Sequence, residues 1–388
     1  MKNNMQRNEK KLISKISFVA SMRTLGTSLI IPFIAIYAKE LPDSTAYLSG
    51  IAFGVFGISQ AVLQLPMGRL SDKWGRKETI LLALSIYFIG TLLCGLSTNI
   101  YHLIFARFLS GVGAFTGVSM AWLTDGTDSE RRNSALSYVG LSIGSAVIIG
   151  FPLSPILAYE YGIPTLFYIS SALIFISIIF IILFMNNQDT EDRCDILIKK
   201  ESLYAILRDY NIVKLNIIAF LSNLANSSIW FTMPLLIKEK MTITEMWKLY
   251  LPISVIGTSL MFYFNQKADK SGTIRTSLIA ITFTLAGIII PIVFINLISY
   301  IISFILLYSG NRILSPVITA AVSRYPNNCH KGSLMGILNS FQFMGFFIGG
   351  LLGGFMYKFG HQYLFSILFV LFLFCLYSIF TLTDSFEG

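Results

Sequence analysis

Apolar stretches long enough to cross a bilayer alternate with short polar interruptions along nearly the whole chain. A hydrocarbon core of about 30 Å takes roughly 20 apolar residues per helical crossing. Such stretches lie at 16–38, 47–67, 79–97, 100–123, 135–158 and 165–185, and again at 213–237, 246–264, 276–296, 299–322, 333–357 and 362–382. The pattern predicts an all-α integral membrane protein with twelve transmembrane helices. The first stretch exceeds the apolar core of a signal peptide, and no small-residue cleavage site follows it. It is therefore expected to stay as a spanning helix.

The longest polar interval, 186–210, holds Asp189, Glu191, Asp192, Arg193, Lys199, Lys200 and Glu201, and it lies midway. It reads as a cytoplasmic linker between two six-helix bundles, 1–185 and 211–388. Across it the chain repeats weakly. Asp72 and Gly75 map to Asp269 and Gly272 at a shift of 197, the run Gly150 to Pro155 maps to Gly349 to Gly354 at 199, and Leu166-Phe167 maps to Leu364-Phe365 at 198. Three anchors at nearly one shift imply an internal duplication, the construction of carriers that rock two pseudo-symmetric bundles about a midplane site.

Composition agrees with the bilayer as solvent: 54% of residues are hydrophobic and 13% charged, a balance unsuited to one soluble globule of this length. The net charge of +9 says more through its placement. With the amino terminus inside, 21 of the 29 lysines and arginines fall on the amino-terminal side of the predicted spans, five on the other side, and Arg23, Arg107 and Arg312 within them. Basic loops face the cytoplasm, so both termini are expected there. The excess charge is spread over membrane-flanking loops, which excludes a nucleic-acid reading. The cysteines Cys94, Cys194, Cys329 and Cys375 have neither metal-ligand spacing nor the look of a disulfide framework. There is no Walker lysine motif, no His-Glu-x-x-His and no serine elbow, so neither ATP-driven transport nor an enzyme is supported, and no cofactor or metal is expected.

The charged interruption Gly68-Arg69-Leu70-Ser71-Asp72-Lys73-Trp74-Gly75-Arg76-Lys77 has an echo in Asn265-Gln266-Lys267-Ala268-Asp269-Lys270-Ser271-Gly272. It resembles, at every position, the signature Gly-x-Leu-Ser/Ala-Asp-Arg/Lys-x-Gly-Arg-Arg/Lys between helices two and three of the major facilitator superfamily. Arg107-Phe108-Leu109-Ser110-Gly111-Val112-Gly113 resembles the family's helix-four pattern Arg-x-x-x-Gly-x-Gly. The general look is most similar to the twelve-helix drug-efflux branch. Its helix-five glycine-proline pattern is met in part by Gly140, Gly144, Gly150, Pro152 and Pro155, with Gly-Phe-Pro-Leu-Ser-Pro where that branch ends Gly-Pro-x-x-Gly-Gly.

The resemblance implies a monomeric carrier working by alternating access, and the compact loops, with no organelle address, favour the cell membrane. The resemblance also implies a conformational latch formed by Gly68, Asp72, Gly75, Arg76, Lys77 and Asp125. The Asp72 carboxylate would face the amino-terminal turn of helix eleven, near Gly332, where unpaired N–H groups favour an anion by about 0.3–1 kcal/mol. Arg76 would pair with Asp125. The bland alternative is that these charges merely fix topology.

The expected helices six and twelve are apolar nearly all round and suit lipid contact. Gly345, Gly349, Gly350, Gly353 and Gly354 recur at small-xxx-small spacing and suit close helix packing. Helices one, four, seven and ten carry Arg23, Arg107, Asn223 with Asn226, and Asn311 with Arg312, and the resembled fold places these four around a central cavity. A charge inside a span normally faces protein or water. Asn339 and Gln342, like Asn223 and Asn226, are three apart and share a face. Arg23, Arg107, Asn223, Asn226, Trp230, Arg312, Asn339 and Gln342 are thus candidates to line a substrate cavity. The alternatives are snorkelling for Arg23, carbonyls freed by Pro316 for Arg312, helix–helix contacts for the amides, and plain packing for Trp230.

No acid lies in the interior of any predicted span, although a proton-driven carrier needs a titrating group in its path. Two readings follow. The first, adopted here, is proton-coupled efflux of drugs or other hydrophobic compounds, with the proton on a boundary carboxylate such as Glu40 or Asp125. The second is uptake or exchange of an anionic metabolite bound by the cavity arginines.

Overall fold

The computed structural model describes residues 2–113, 116–128, 131–185, 209–323 and 331–381. The linker expected at 186–210 thus lies almost wholly outside the described residues. Among the described residues the regular structure is helical. The first part holds α1 (Lys2–Ile30), α2 (Ile34–Glu40), α3 (Ala46–Trp74), α4 (Arg76–Gly95), α5 (Ile100–Val112), α6 (Thr116–Asp125), α7 (Arg132–Tyr161) and α8 (Ile163–Phe184). The second holds α9 (Tyr210–Lys238), a short 3-10 turn (Ile243–Glu245), α10 (Trp247–Ser271), α11 (Thr273–Val293), α12 (Leu297–Ser323), α13 (Lys331–Tyr357) and α14 (His361–Phe380).

Ten of these stretches are long and apolar enough to cross a membrane, taking α5 with α6 as one, and the bent pair α1–α2 makes an eleventh. Helix α10 covers the eighth expected span. It is less apolar, because Lys248 and the polar run from Asn265 to Ser271 fall within it.

The element boundaries differ from expectation in three places, each with a local cause. The first span is not straight: α1 and α2 meet at 46° around Pro32, whose ring removes a donor and crowds the carbonyl one turn back. In the fourth span α5 ends at Val112 with Gly113 outside helical geometry, and α6 is described from Thr116. Here Gly113 is pressed so closely to α4 that a Cβ would lie 2.5 Å from the Ala83 carbonyl oxygen. The charged segment 68–77, expected as a loop, is almost all helix. Helix α3 runs on to Trp74 and α4 resumes at Arg76, so one residue, Gly75 at φ 108°, makes the whole turn. Only glycine takes that backbone without strain.

Four glycines have positive φ among the described residues, Gly75, Gly162, Gly272 and Gly360. They form two pairs, 197 and 198 residues apart. Helix contacts repeat the same way. Helix α1 packs on α7 and α8, α3 on α5, and α4 on α5 and α8, while α9 packs on α13 and α14, α10 on α12, and α11 on α12 and α14.

The two sets meet through α3 against α13 and α7 against α10. The α3–α13 seam is backbone on backbone. A Cβ on Gly50 would lie 2.6 Å from the Gly350 carbonyl oxygen, and one on Gly54 2.6 Å from that of Phe347, as the small-xxx-small spacing predicts. Helices α8 and α14 leave Phe175, Ile179 and Leu183, and Val370, Phe374 and Tyr377, exposed on their outer faces.

Candidate functional site

The helix ends at Trp74, Arg76 and Asp125 mark one end of the bundle, called here the basic end. At the opposite end lie Glu40, Lys238 and Tyr357. Helix α9 shows how the interior opens toward the basic end. Along it Val213, Ile217, Phe220, Asn223 and Asn226 are partly exposed at helical spacing, whereas every residue from 227 to 237 is buried. On α1 partial exposure persists through Arg23, Thr24 and Thr27, and every residue from 32 to 38 is buried. Accessibility along both helices is therefore confined to the half toward the basic end.

Arg312, Asn339 and Gln342 are partly exposed as well. Trp230, one turn beyond Asn226, is 3% exposed. It packs against Phe151 (centroids 4.7 Å apart), Phe304 (4.8 Å), Tyr308 (5.9 Å) and Tyr250 (6.2 Å). This aromatic cluster lies just past the point where the accessibility of α9 ends, and Phe151 contributes to it from α7, across the seam between the two helix sets.

The arginines within the spans share one mode of support. Arg107, 8% exposed, lies over the ring of Phe56 with Cζ 4.7 Å from the centroid. Arg23 lies over Tyr87 at 5.3 Å and donates from Nη1 to Thr116 Oγ1 at 3.3 Å. Arg312 lies over Tyr308 at 5.3 Å. Phe56 and Tyr87 touch at 6.4 Å, so Arg23, Tyr87, Phe56 and Arg107 form a cation–ring–ring–cation series across α1, α4, α3 and α5. Tyr87 is fixed by a hydroxyl contact of 3.1 Å with Thr27 Oγ1.

The amides are partly committed to the helices. Asn223 donates to the Ala219 carbonyl (3.0 Å), and Asn311 bridges to Ser222 (Oγ, 2.9 Å). Gln60, on α3 one turn from Phe56, is fully buried. Phe56, Tyr87, Thr116 and Tyr308 were not singled out by sequence. For Phe56, Tyr87 and Thr116 the only signal was an aromatic or hydroxyl in another span at matching depth, whereas Tyr308 lies four residues before Arg312 on the same helix.

At the basic end Arg76 organises the signature segment. Its Nη1 donates to Asp72 Oδ1 (2.8 Å) and Ser71 Oγ (2.6 Å), and its Nε to Asp125 Oδ2 (2.9 Å). This ties α3, α4 and α6 at one point. Lys77 reaches the Ile182 carbonyl (3.5 Å) in the last turn of α8, where a cation suits the helix dipole. A Cβ on Gly68 would meet nothing within 4 Å. The turn near Gly332 expected to face Asp72 has side chains outside the described residues.

At the opposite end a polar clasp joins the two helix sets. Lys238 is ion-paired with Glu40. Lys39 donates to the Tyr357 hydroxyl (3.1 Å), which in turn donates to Glu239 Oε1 (2.8 Å). No cluster of His, Cys, Asp or Glu able to hold a metal occurs among the described residues.

Comparison with known proteins places this geometry in context. A family profile described as Major Facilitator Superfamily matches residues 16–328 and 215–387. The Buchnera aphidicola (Acyrthosiphon pisum) transporter BU466 is 30% identical over 346 residues, covering 84% of this chain and 85% of its own. The Escherichia coli inner membrane transport protein YajR is 27% identical over 351 residues, 89% of this chain and 77% of its own. The multidrug resistance protein MdtG of Proteus mirabilis is 31% identical over 170 residues, 42% of each chain. Among solved structures, a D-xylose–proton symporter superposes with a TM-score of 0.83 at 11% identity, covering 98% of this chain and 99% of that one. The human organic anion transporter MFSD10 superposes with a TM-score of 0.74 at 17% identity, over 96% and 99%.

Proposed function

The chain belongs to the major facilitator superfamily, and on that premise we propose that it is a secondary carrier of the cell membrane which moves a small organic molecule by alternating access. It is a multi-pass membrane transporter and not an enzyme. On the proposed reading the twelve spans are α1–α2, α3, α4, α5–α6, α7, α8 and α9 to α14. They fall into halves 1–185 and 211–388, joined by the cytoplasmic linker 186–210. The paired helix contacts and the two glycine pairs support this division. Both termini lie on the basic, cytoplasmic side. The segment from Gly68 to Lys77, with Asp125, works as the latch of that side.

The observation that carries the mechanism is the accessible face of α9, which ends at Asn226 and gives way to eleven buried residues. Such a face belongs to a cleft open to the cytoplasm and shut beyond the Trp230 cluster. Rocking the halves about the α3–α13 and α7–α10 seams would open the other end. The clasp of Glu40, Lys238, Lys39, Tyr357 and Glu239 is half-exposed, and exposed ion pairs contribute only about 0–1 kcal/mol each. It therefore biases the closed end and does not lock it, as a carrier requires.

The cargo we propose is a hydrophobic compound exported in exchange for protons, with the protein acting as a monomer. The aromatic lining of the cleft and the match to MdtG over 170 residues support this. A second reading, transport of an anion, is favoured by Arg107 and Arg312, which make no ion pair among the described residues. The fold itself does not choose, since the structures it resembles are named for sugar and for organic anions.

The test is cysteine labelling along α9 in inside-out membrane vesicles, on a background without native cysteines. Cysteines at Asn223 and Asn226 should react from the cytoplasmic side and one at Thr232 should not; equal reaction at all three would sink the proposal. Proteoliposomes with an imposed pH gradient then decide the cargo. Gradient-driven movement of a hydrophobic dye supports proton-coupled export, and movement of a small hydrophilic anion lost in Arg312→Gln supports the second reading.

A further inference from the structure

Arg107 and Arg312 occupy corresponding helices, the fourth and tenth spans on the reading above, and they are held alike. Each guanidinium lies on a ring face, Phe56 at 4.7 Å and Tyr308 at 5.3 Å. Each has a buried Nε without a hydrogen-bond partner, and neither forms an ion pair among the described residues. The choice of support matters. A carboxylate in the ring's place would hold the arginine equally well but cancel its charge. A ring face fixes the guanidinium plane through its quadrupole and leaves the positive charge intact. Because an uncancelled cation in a low-dielectric interior is costly, such a pair of sites favours any state in which an anion reaches them.

The surroundings then limit what kind of anion fits. Beside Phe56 stands Tyr87, 6.4 Å away. Beside Tyr308 stand Trp230 and Phe151, both at 5.9 Å. Tyr87, Trp230, Phe151 and Tyr308 are buried here, at 2–5% exposure, so they become a binding surface only as the halves rock, and a small hydrophilic anion would then leave them uncovered. A flat apolar body carrying one acid group would cover them while its charge meets a guanidinium, by a bidentate, charge-assisted contact of the kind arginine makes best.

We propose that Phe56 and Tyr308 are positioning residues that present Arg107 and Arg312 as uncancelled cations to a hydrophobic organic anion. The inference rests on the reading of the cleft as a transport path. It joins the apolar character of the cargo to the charge of the cavity.

The experiment uses the full-length protein in liposomes and measures initial rates against concentration for two permanently charged aromatic probes, radiolabelled naphthalene sulfonate and ethidium. Wild type should carry the sulfonate in preference to ethidium. Phe56→Leu and Tyr308→Leu should raise KM for the sulfonate by about 5- to 10-fold with the maximal rate within about twofold. Phe56→Tyr and Tyr308→Phe, which keep the ring, should stay near wild type. Arg107→Lys keeps the charge but not the plane and should raise KM likewise, which covers the case where a leucine variant fails to assemble.

Saturable ethidium transport without sulfonate transport would overturn this inference and leave the carrier reading intact. So would leucine variants that lose maximal rate at unchanged KM, or tyrosine and phenylalanine variants that fail to restore it. Protein that moves neither probe nor any other solute, with α9 equally reactive at Asn226 and Thr232, would overturn the carrier reading itself.

Discussion

Glu40, at the end of α2, is ion-paired with Lys238, at the end of α9, although 198 residues separate them. The pair bridges the two helix sets at the end opposite the basic one. Beside it Lys39, Tyr357 and Glu239 make a second link across the same seam. If the clasp biases closure, Glu40→Lys should raise outside labelling of a cysteine at Thr232, a residue with no exposed surface, by about 2- to 5-fold, as expected for losing up to roughly 1 kcal/mol. The exchanged pair Glu40→Lys with Lys238→Glu should return labelling toward its starting level. Two single variants that add, with no recovery in the exchange, would remove the clasp.

Gly75 makes the α3–α4 turn alone at φ 108°. Gly75→Ala places a Cβ in a region L residues avoid, at a cost of about 1–3 kcal/mol, and it does so between two helices whose angle sets the Arg76 contacts. The variant should melt several degrees lower in detergent and transport poorly. Gly140→Ala, at a helical glycine where a Cβ meets nothing within 4 Å, serves as the control and should melt near wild type. Matching melting points for the two variants would contradict the strain argument.

Arg76 serves two carboxylates with two different nitrogens, Nη1 to Asp72 and Nε to Asp125. A lysine brings one charge but not this fork, so Arg76→Lys should lose most transport while protein remains in the membrane at normal amount. Asp72→Asn should do the same. Uptake by either variant at more than about half the wild-type rate would show that the segment only sets topology.

Ten or eleven of the twelve expected spans were legible because a bilayer leaves few ways to satisfy a backbone, and apolar runs of the required length follow directly. What the pattern could not show was the path of the chain between them. Charge at 68–77 reads as a loop, yet α3 keeps its hydrogen bonds through those residues, and Gly75 alone breaks the ladder. Pro32 likewise bends a span that hydropathy reads as straight, and Gly113 ends α5 inside another. Arg23, Arg107 and Arg312 stood out as charges in apolar runs. Their supports Tyr87, Phe56 and Thr116 did not, since they lie on other helices, among 18 tyrosines and 32 phenylalanines. Tyr308, one turn from Arg312, was hidden by the same abundance.

The central claim is that the two halves rock about the α3–α13 and α7–α10 seams, opening the two ends in turn. Distances between spin labels across the halves test it most directly, with one pair at Asp43 and Thr242 for the opposite end and one at Trp74 and Ser323 for the basic end. Reciprocal shifts are expected on adding a transported solute or on breaking the clasp, the first distance lengthening as the second shortens. Two distances that stay fixed, or that lengthen together, would contradict it.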